Sequence, residues 1–295
     1  MHRKLTNACS KLKHSRQLTL RNQTSQVNLL LKQAQSLADS ISYAFDTPTG
    51  IPYNNIELNT HGNDASTTNG LATTGTLVLE WQHLSDLTGN KTYGELAQKA
   101  ESYLLNARQQ SNTSRTYPGL RGMTIDLNTG KFVTARGGWG AESDSYYEYL
   151  IKMFVYDQTR FQHYAKEWIL AANSTMYHVA SHPAPRPELT WLPDFDGLDH
   201  LILYSQHLTC FDGGNFILGG KVLNHQAFID FGLELVNGCR ETYASTATGI
   251  GPEIFGWDPN AVPSDQIDFY NRTGFWIYSS VYNTRPEVIE SYYYA

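Results

Sequence analysis

The sequence predicts an all-α protein built from helical hairpins, with one small β-hairpin among them. Three observations carry this. Apolar residues recur at three- and four-residue steps along most of the chain. In three places two such stretches are joined by a tight polar turn, which makes the paired helices antiparallel neighbours. No strand–helix alternation and no Gly-rich phosphate loop occurs, which disfavours a nucleotide-binding α/β fold.

The elements follow in order. Val27–Phe45 is amphipathic, with Leu30, Ala34, Leu37, Ile41 and Ala44/Phe45 on one face, and Asp46-Thr-Pro48-Thr-Gly50 stops it. The spacing of Leu77, Val78, Trp81 and Leu84 predicts a helix over Leu71–Leu87. Thr88-Gly-Asn-Lys91 turns it into a second over Tyr93–Ala107. Asp144–Tyr156 and Phe161–Val179 form another pair, and Gln206–Leu223 and Gln226–Tyr243 a third. Gly122–Val133 alternates around Asn128-Thr-Gly130 and predicts the β-hairpin. No strict period runs through the pairs, so a regular solenoid is disfavoured.

A length of 295 residues allows one large domain or two ordinary ones. The 22 Lys+Arg against 28 Asp+Glu, with no basic cluster beyond residue 21, argue against nucleic-acid binding. No apolar run approaches the ~18 residues of a membrane span. Low charge and many aromatics fit an extracellular or lumenal protein handling polar, ring-shaped ligands. Five N-x-S/T sequons (Asn22, Asn90, Asn112, Asn173, Asn271) lean the same way. Met1–Arg21 is basic and polar and lacks the apolar run of a signal peptide. It reads as a disordered tail, or as a sign that the true start is missing. The other end stops at Ser291-Tyr-Tyr-Tyr-Ala295 without a capping residue. Cys9, Cys210 and Cys239 leave one thiol over if two pair.

Chemistry concentrates in carboxylates. Gly137-Gly-Trp-Gly140 leads into Asp144 and Glu148, which share a helix face; the Gly-rich entry would let backbone approach a ligand. A carboxylate stabilised by the helix dipole gives the same pattern. Arg285-Pro286-Glu287 opens another helix, with Glu290 beside Glu287, and reads equally as a solvated end or an acid/base site. His207 and the loop carboxylate Glu253 are binding candidates, though a buried His and a solvated Glu are commoner. His178 and His182 lack a third metal ligand, and Asp194-Phe-Asp196-Gly-Leu-Asp199 lacks the spacing of an EF-hand. Carboxylates among aromatics are the inventory of glycoside hydrolysis.

Asp144-Ser-Tyr-Tyr-Glu-Tyr-Leu150, His207-Leu-Thr-Cys210-Phe, Thr248-Gly-Ile-Gly-Pro-Glu253 and Arg285-Pro-Glu-Val-Ile-Glu-Ser291 stand in the order seen in glycoside hydrolase family 47, the class I α-1,2-mannosidases. Ala44–Pro52 and Gly75–Trp81 also resemble that family, and Gly137–Gly140 and Phe211–Gly214 resemble its filamentous-fungal secretory branch. The resemblance runs from about Ser25 to the last residue. It implies residues 25–295 as a partial catalytic domain, with 1–24 as an unmatched, disordered segment. The implied fold is an (αα)7 barrel, incomplete here. The implied activity is calcium-dependent hydrolysis, with inversion, of terminal α-1,2-linked mannose from high-mannose N-glycans by a monomer in the secretory pathway or outside the cell.

By the same resemblance Glu287 is the favoured general base and Asp144 the other essential carboxylate. Glu148 and Glu290 hold the water shell of a Ca²⁺. Arg285, His207 and Glu253 contact sugar, and Cys210–Cys239 is the disulfide, with Cys9 left over. The family's general acid, a Glu upstream of the region matching Val27, has no counterpart in Met1–Arg21. Its calcium-binding Thr falls in helices that would follow Ala295, so no direct metal ligand is identified. These departures imply a truncated or mispredicted copy of a mannosidase with an incomplete catalytic set, so that family and activity of this chain are separate expectations. A lectin-like relative that binds mannose glycans in glycoprotein quality control, and a non-functional fragment, are the alternatives.

Overall fold

A computed structural model describes residues 24–106 and 116–295. The expected N-terminal tail, Cys9, the sequons at Asn22 and Asn112 and the last residue of the Tyr93–Ala107 helix lie outside them. The helices are α1 (Thr24–Ile41), α2 (Leu71–Gly75), α3 (Val78–Thr88), α4 (Thr92–Leu105), α5 (Asp144–Tyr156), α6 (Gln162–Ser174), α7 (Asp212–Leu223), α8 (Gln226–Ala244), α9 (Ile267–Thr273) and α10 (Glu287–Tyr294). The expected antiparallel pairs are present as α3–α4, α5–α6 and α7–α8. Their turns have local causes: Gly89 (φ 74°) and Asn224 (φ 55°) cap α3 and α7 in the left-handed conformation.

Four small antiparallel sheets fill the returns: β1 (Ile56–Glu57) with β2 (Gly62–Asn63), β3 (Thr68–Gly70) with β4 (Thr124–Asp126), β5 (Arg136–Gly137), β6 (Asp194–Asp196) and β7 (Leu201–Ile202), and β8 (Tyr204–Gln206), β9 (Ile254–Gly256) and β10 (Trp276–Ser279). The expected hairpin turn is there, closed by Asp126 N–H to Lys131 O at 2.9 Å, with Gly130 at φ 67°. Its longer partner is β3, distant in sequence, paired Thr68 to Asp126.

Three local expectations are revised. The helix expected over Leu71–Leu87 is two helices. It breaks after Gly75, where a Cβ would lie 2.6 Å from the Tyr146 ring, so that α5 packs directly on the backbone. The helix expected from Gln206 begins as a 3₁₀ turn, His207–Phe211, before α7. On the first helix the expected inner face holds only at its C-terminal end: Ile41, Ala44 and Phe45 pack inward, while Leu30 and Leu37 are 69% and 59% exposed. The packed side is turned about the helix axis towards Val27, Leu31 and Ala38, an edge of the apolar stripe that the neighbours choose and the period alone does not.

One large core runs through the hairpins, and a second, aromatic one lies under the β8–β9–β10 sheet. Trp139, Trp168, Trp191 and Trp257 are fully enclosed. The aromatic content is therefore mostly core packing rather than ligand surface.

Candidate active site

Glycines and a disulfide set the positions of the functional side chains. α7 and α8 touch backbone to backbone, since a Cβ on Gly232 would lie 2.8 Å from Gly213 O. α10 seats on α7 over Gly214, whose missing Cβ would fall 3.1 Å from Ser291 Cα. The Ser291 hydroxyl accepts the Gly214 N–H at 2.9 Å and donates to Cys210 O at 2.5 Å. Cys210 and Cys239 form a disulfide joining the 3₁₀ turn to α8, as the resemblance implies, and Val288 of α10 packs against it. The β8–β9–β10 sheet does the rest. Gln206 delivers His207, Glu253 precedes Ile254, and the two meet through His207 N–H to Glu253 O at 2.9 Å.

Every residue expected at the site converges here. His207 places Nδ1 3.0 Å from Glu287 Oε2 and Nε2 2.5 Å from the Tyr243 hydroxyl. Arg285 grips Glu253 with two nitrogens, Nε at 2.7 Å and Nη2 at 2.6 Å from Oε1. That pairing holds the Glu253 carboxyl below its usual range. Asp144 opens α5, where its Oδ1 accepts the Ser145 N–H at 2.7 Å. Burial, and then the charges of Glu148 and Glu287, push its pKa up. Glu148 pairs with Lys152 one turn on. Glu290 is raised by burial and then by the charge of Glu148. Glu148, Lys152, Asn215, Glu290 and Tyr294 line a shallow groove between α5, α7 and α10.

His207 was expected to contact sugar, yet both its ring nitrogens are engaged by protein and it is only 6% exposed. Arg285 and Glu253 are likewise engaged with each other. Tyr243 and Lys152 were not foreseen. The Glu148–Lys152 pair was legible as an i, i+4 spacing. Tyr243 left no signal beyond its place one turn after Cys239. The Gly137–Gly140 loop approaches protein rather than an open space. A Cβ on Gly138 would meet Asp194 Oδ1 at 2.3 Å, and one on Gly140 would meet Thr209 Oγ1 at 2.9 Å. Trp139 between them is buried and donates Nε1–H to Thr175.

The weaker motifs have structural partners. His178 stacks on Tyr117, the Tyr117 hydroxyl donates to Asp199, and His182 Nδ1 lies 2.9 Å from Leu189 O. Asp194 accepts from Tyr204. Among the described residues no three His, Cys, Asp or Glu side chains are grouped to hold a metal ion directly.

A cluster of carboxylates, with Asp144 and Glu290 raised and Glu253 lowered in pKa, set among paired helices, is an arrangement that glycoside hydrolases use. The model of glycosyl hydrolase family 47 matches residues 4–295, and the chain belongs to that family. The match begins ahead of Ser25, where the motifs start. Similar proteins include a probable mannosyl-oligosaccharide alpha-1,2-mannosidase 1B of Aspergillus clavatus, 57% identical over 92% of this chain and 53% of its own length. A mannosyl-oligosaccharide alpha-1,2-mannosidase of Penicillium citrinum is 59% identical over 90% and 52%. The solved alpha-1,2-mannosidase from Trichoderma reesei superposes with TM-score 0.88 at 45% identity, covering 92% of this chain and 56% of that one. The helical pairs are thus part of an (αα)7 barrel. The chain spans about half the length of the curated relatives it matches.

Proposed function

We propose that the protein acts in hydrolysing terminal α-1,2-linked mannose from high-mannose N-glycans, with inversion, along the secretory pathway or outside the cell. The observation that carries this is Glu287 at the head of α10, held through one oxygen by His207 in a site where Asp144 is pushed towards its neutral form. The reaction needs one carboxylate to take a proton from water and a second group at the opposite face of the bond. Glu287 has one oxygen on His207, and its other oxygen has no protein partner among the described residues, which suits the base. Asp144 stands in the same cluster as the second carboxylate. Arg285 and Glu253, already rigidly paired, present fixed hydrogen-bonding edges for sugar hydroxyls.

Calcium is the cofactor that family membership implies. Glu148 and Glu290 set two carboxylates beside a groove that also holds the Lys152 ammonium, which suits a hard cation held through its water shell rather than gripped directly. When bound, such an ion would attract sugar hydroxyls and water by its charge. The disulfide and the exposed sequons at Asn90 and Asn271 support an oxidising, secretory setting.

The test is mannose release from a high-mannose glycan by the natural full-length protein. Release is expected to stop with Glu287→Gln and with a chelator. Glycan binding without release would overturn the hydrolytic reading in favour of a lectin-like one. Undiminished release by Glu287→Gln would remove Glu287 from the reaction.

A further inference from the structure

We infer that Tyr243 is a positioning residue for the general base: its hydroxyl fixes the tautomer of His207, and His207 in turn aims Glu287. The inference rests on the mannosidase reading for its kinetic consequence, but not for its hydrogen-bond chemistry. An ionised carboxylate only accepts hydrogen bonds. The Nδ1···Oε2 approach of 3.0 Å therefore puts the proton of a neutral imidazole on Nδ1. The lone pair is then on Nε2, and the group facing it at 2.5 Å is the Tyr243 hydroxyl, which must donate. With His207 6% exposed, bulk water has little access to take that place.

The chain Tyr243 O–H to Nε2, Nδ1–H to Glu287 is fixed at both ends. Tyr243 lies four residues after Cys239 on α8, and Cys210 three residues after His207, so the disulfide ties the two hydrogen-bond partners together. Val288, next to Glu287, packs on the same cluster, with Tyr243 against it. The Tyr243 ring occupies the space left by Gly251, where a Cβ would lie 2.5 Å from Cε2. The Thr248–Glu253 motif thus owes one glycine to this ring. One oxygen of Glu287 is held in a set direction, which presets the other towards the attacking water.

Tyr243→Phe removes only the hydroxyl and keeps the ring packing. In the natural full-length protein acting on α-1,2-mannobiose, kcat should fall about tenfold, part of the roughly 10²–10⁴ that general base assistance supplies. KM should stay within about twofold, since no sugar contact is lost. Placed in a His207→Ala background, Tyr243→Phe should change nothing further, because Tyr243 acts through His207. An unchanged kcat in the single variant, or the same loss in the His207→Ala background, would overturn the inference. The ¹⁵N spectrum of His207 reads the chemistry without turnover. The native protein should show the Nδ1–H tautomer, and Tyr243→Phe a mixture. An Nε2–H tautomer in the native protein would refute the relay. Native protein that releases no mannose yet shows the Nδ1–H tautomer would sink the mannosidase reading and leave the relay standing.

Discussion

Gly214→Ala tests whether Glu287, the proposed base, is placed by the seat of α10. The new Cβ would stand 3.1 Å from Ser291 Cα and 2.7 Å from Tyr294 Cδ2. Tyr294 is near the chain end and can swing away, but Ser291 Cα is backbone. Ordinary carbon–carbon contact needs about 3.6 Å, so α10 must lift by about 0.5 Å. Overpacking of this kind costs about 1–3 kcal/mol. The lift also stretches the Gly214 N–H bond to Ser291 Oγ from 2.9 Å and strains the Ser291 bond to Cys210. Glu287 and Glu290 ride on the same two-turn helix. If a 1 Å misplacement costs about 10²-fold, half of that costs about tenfold in kcat. The assays are mannose release by the natural full-length protein and its unfolding midpoint. Loss of stability with full activity would refute the reasoning, because α10 would then be placed by something other than Gly214.

Three further outcomes follow from the scaffold. The Arg160 hydrogen bonds hold the Asp86 pKa down to about 2 from 3.8, so its contribution to stability is complete above about pH 4 and disappears as the pH falls towards 2. With Asp86 and Arg160 32% and 44% exposed, Asp86→Asn should cost about 1 kcal/mol at pH 7, after discounting for solvent screening, and only a small fraction of that near pH 2. Denaturant titrations at several pH values check this. Glu101 is fully enclosed, and burial drives its pKa well up despite the Arg121 charge, so its stabilising share is present at low pH and lost as the pH rises. Glu101→Gln should therefore raise the melting temperature at pH 7 and leave it unchanged at pH 4. Cys239→Ser opens a loop of sequence separation 29 and should cost about 3–4 kcal/mol by the chain-entropy estimate, read from the denaturant midpoint of the oxidised parent and the variant.

The helical pairs were legible because their cause is local: apolar spacing of 3.6 and left-handed caps at turns such as Gly89. The site was half legible. Asp144 with Glu148, and Glu287 with Glu290, are neighbours in sequence, so helical spacing alone puts each pair on one face. The bonds that give the site its geometry join residues far apart. His207 meets Glu287 across 80 residues, and Arg285 meets Glu253 across 32. No periodicity encodes such meetings. They arise where the β8–β9–β10 sheet and the Gly213, Gly214 and Gly232 contacts bring the elements together. The same limit explains α1, whose packed side depends on which neighbours lie beside it rather than on its own pattern.

Composition misleads in a related way. Abundant Tyr and Trp suggested stacking faces for sugar, and a Gly-rich lead-in before Asp144 suggested a backbone laid against ligand. The Trp faces and the lead-in have prior occupants, while Tyr177, Tyr278, Tyr282 and Tyr293 stay exposed. Five of the six Trp are 7% exposed or less, and the Gly137–Gly140 backbone lies against Asp194, Phe195 and Thr209. A general base must hold its direction to a fraction of an ångström. Here Glu287 stands on a helix of eight residues, too short to be stable alone. Its direction comes from what surrounds it: the disulfide, the glycine seat on α7, and the His207–Tyr243 pair. Gly214, Gly232 and the Tyr243 ring act one layer back, by fixing the polar groups proposed to touch a sugar.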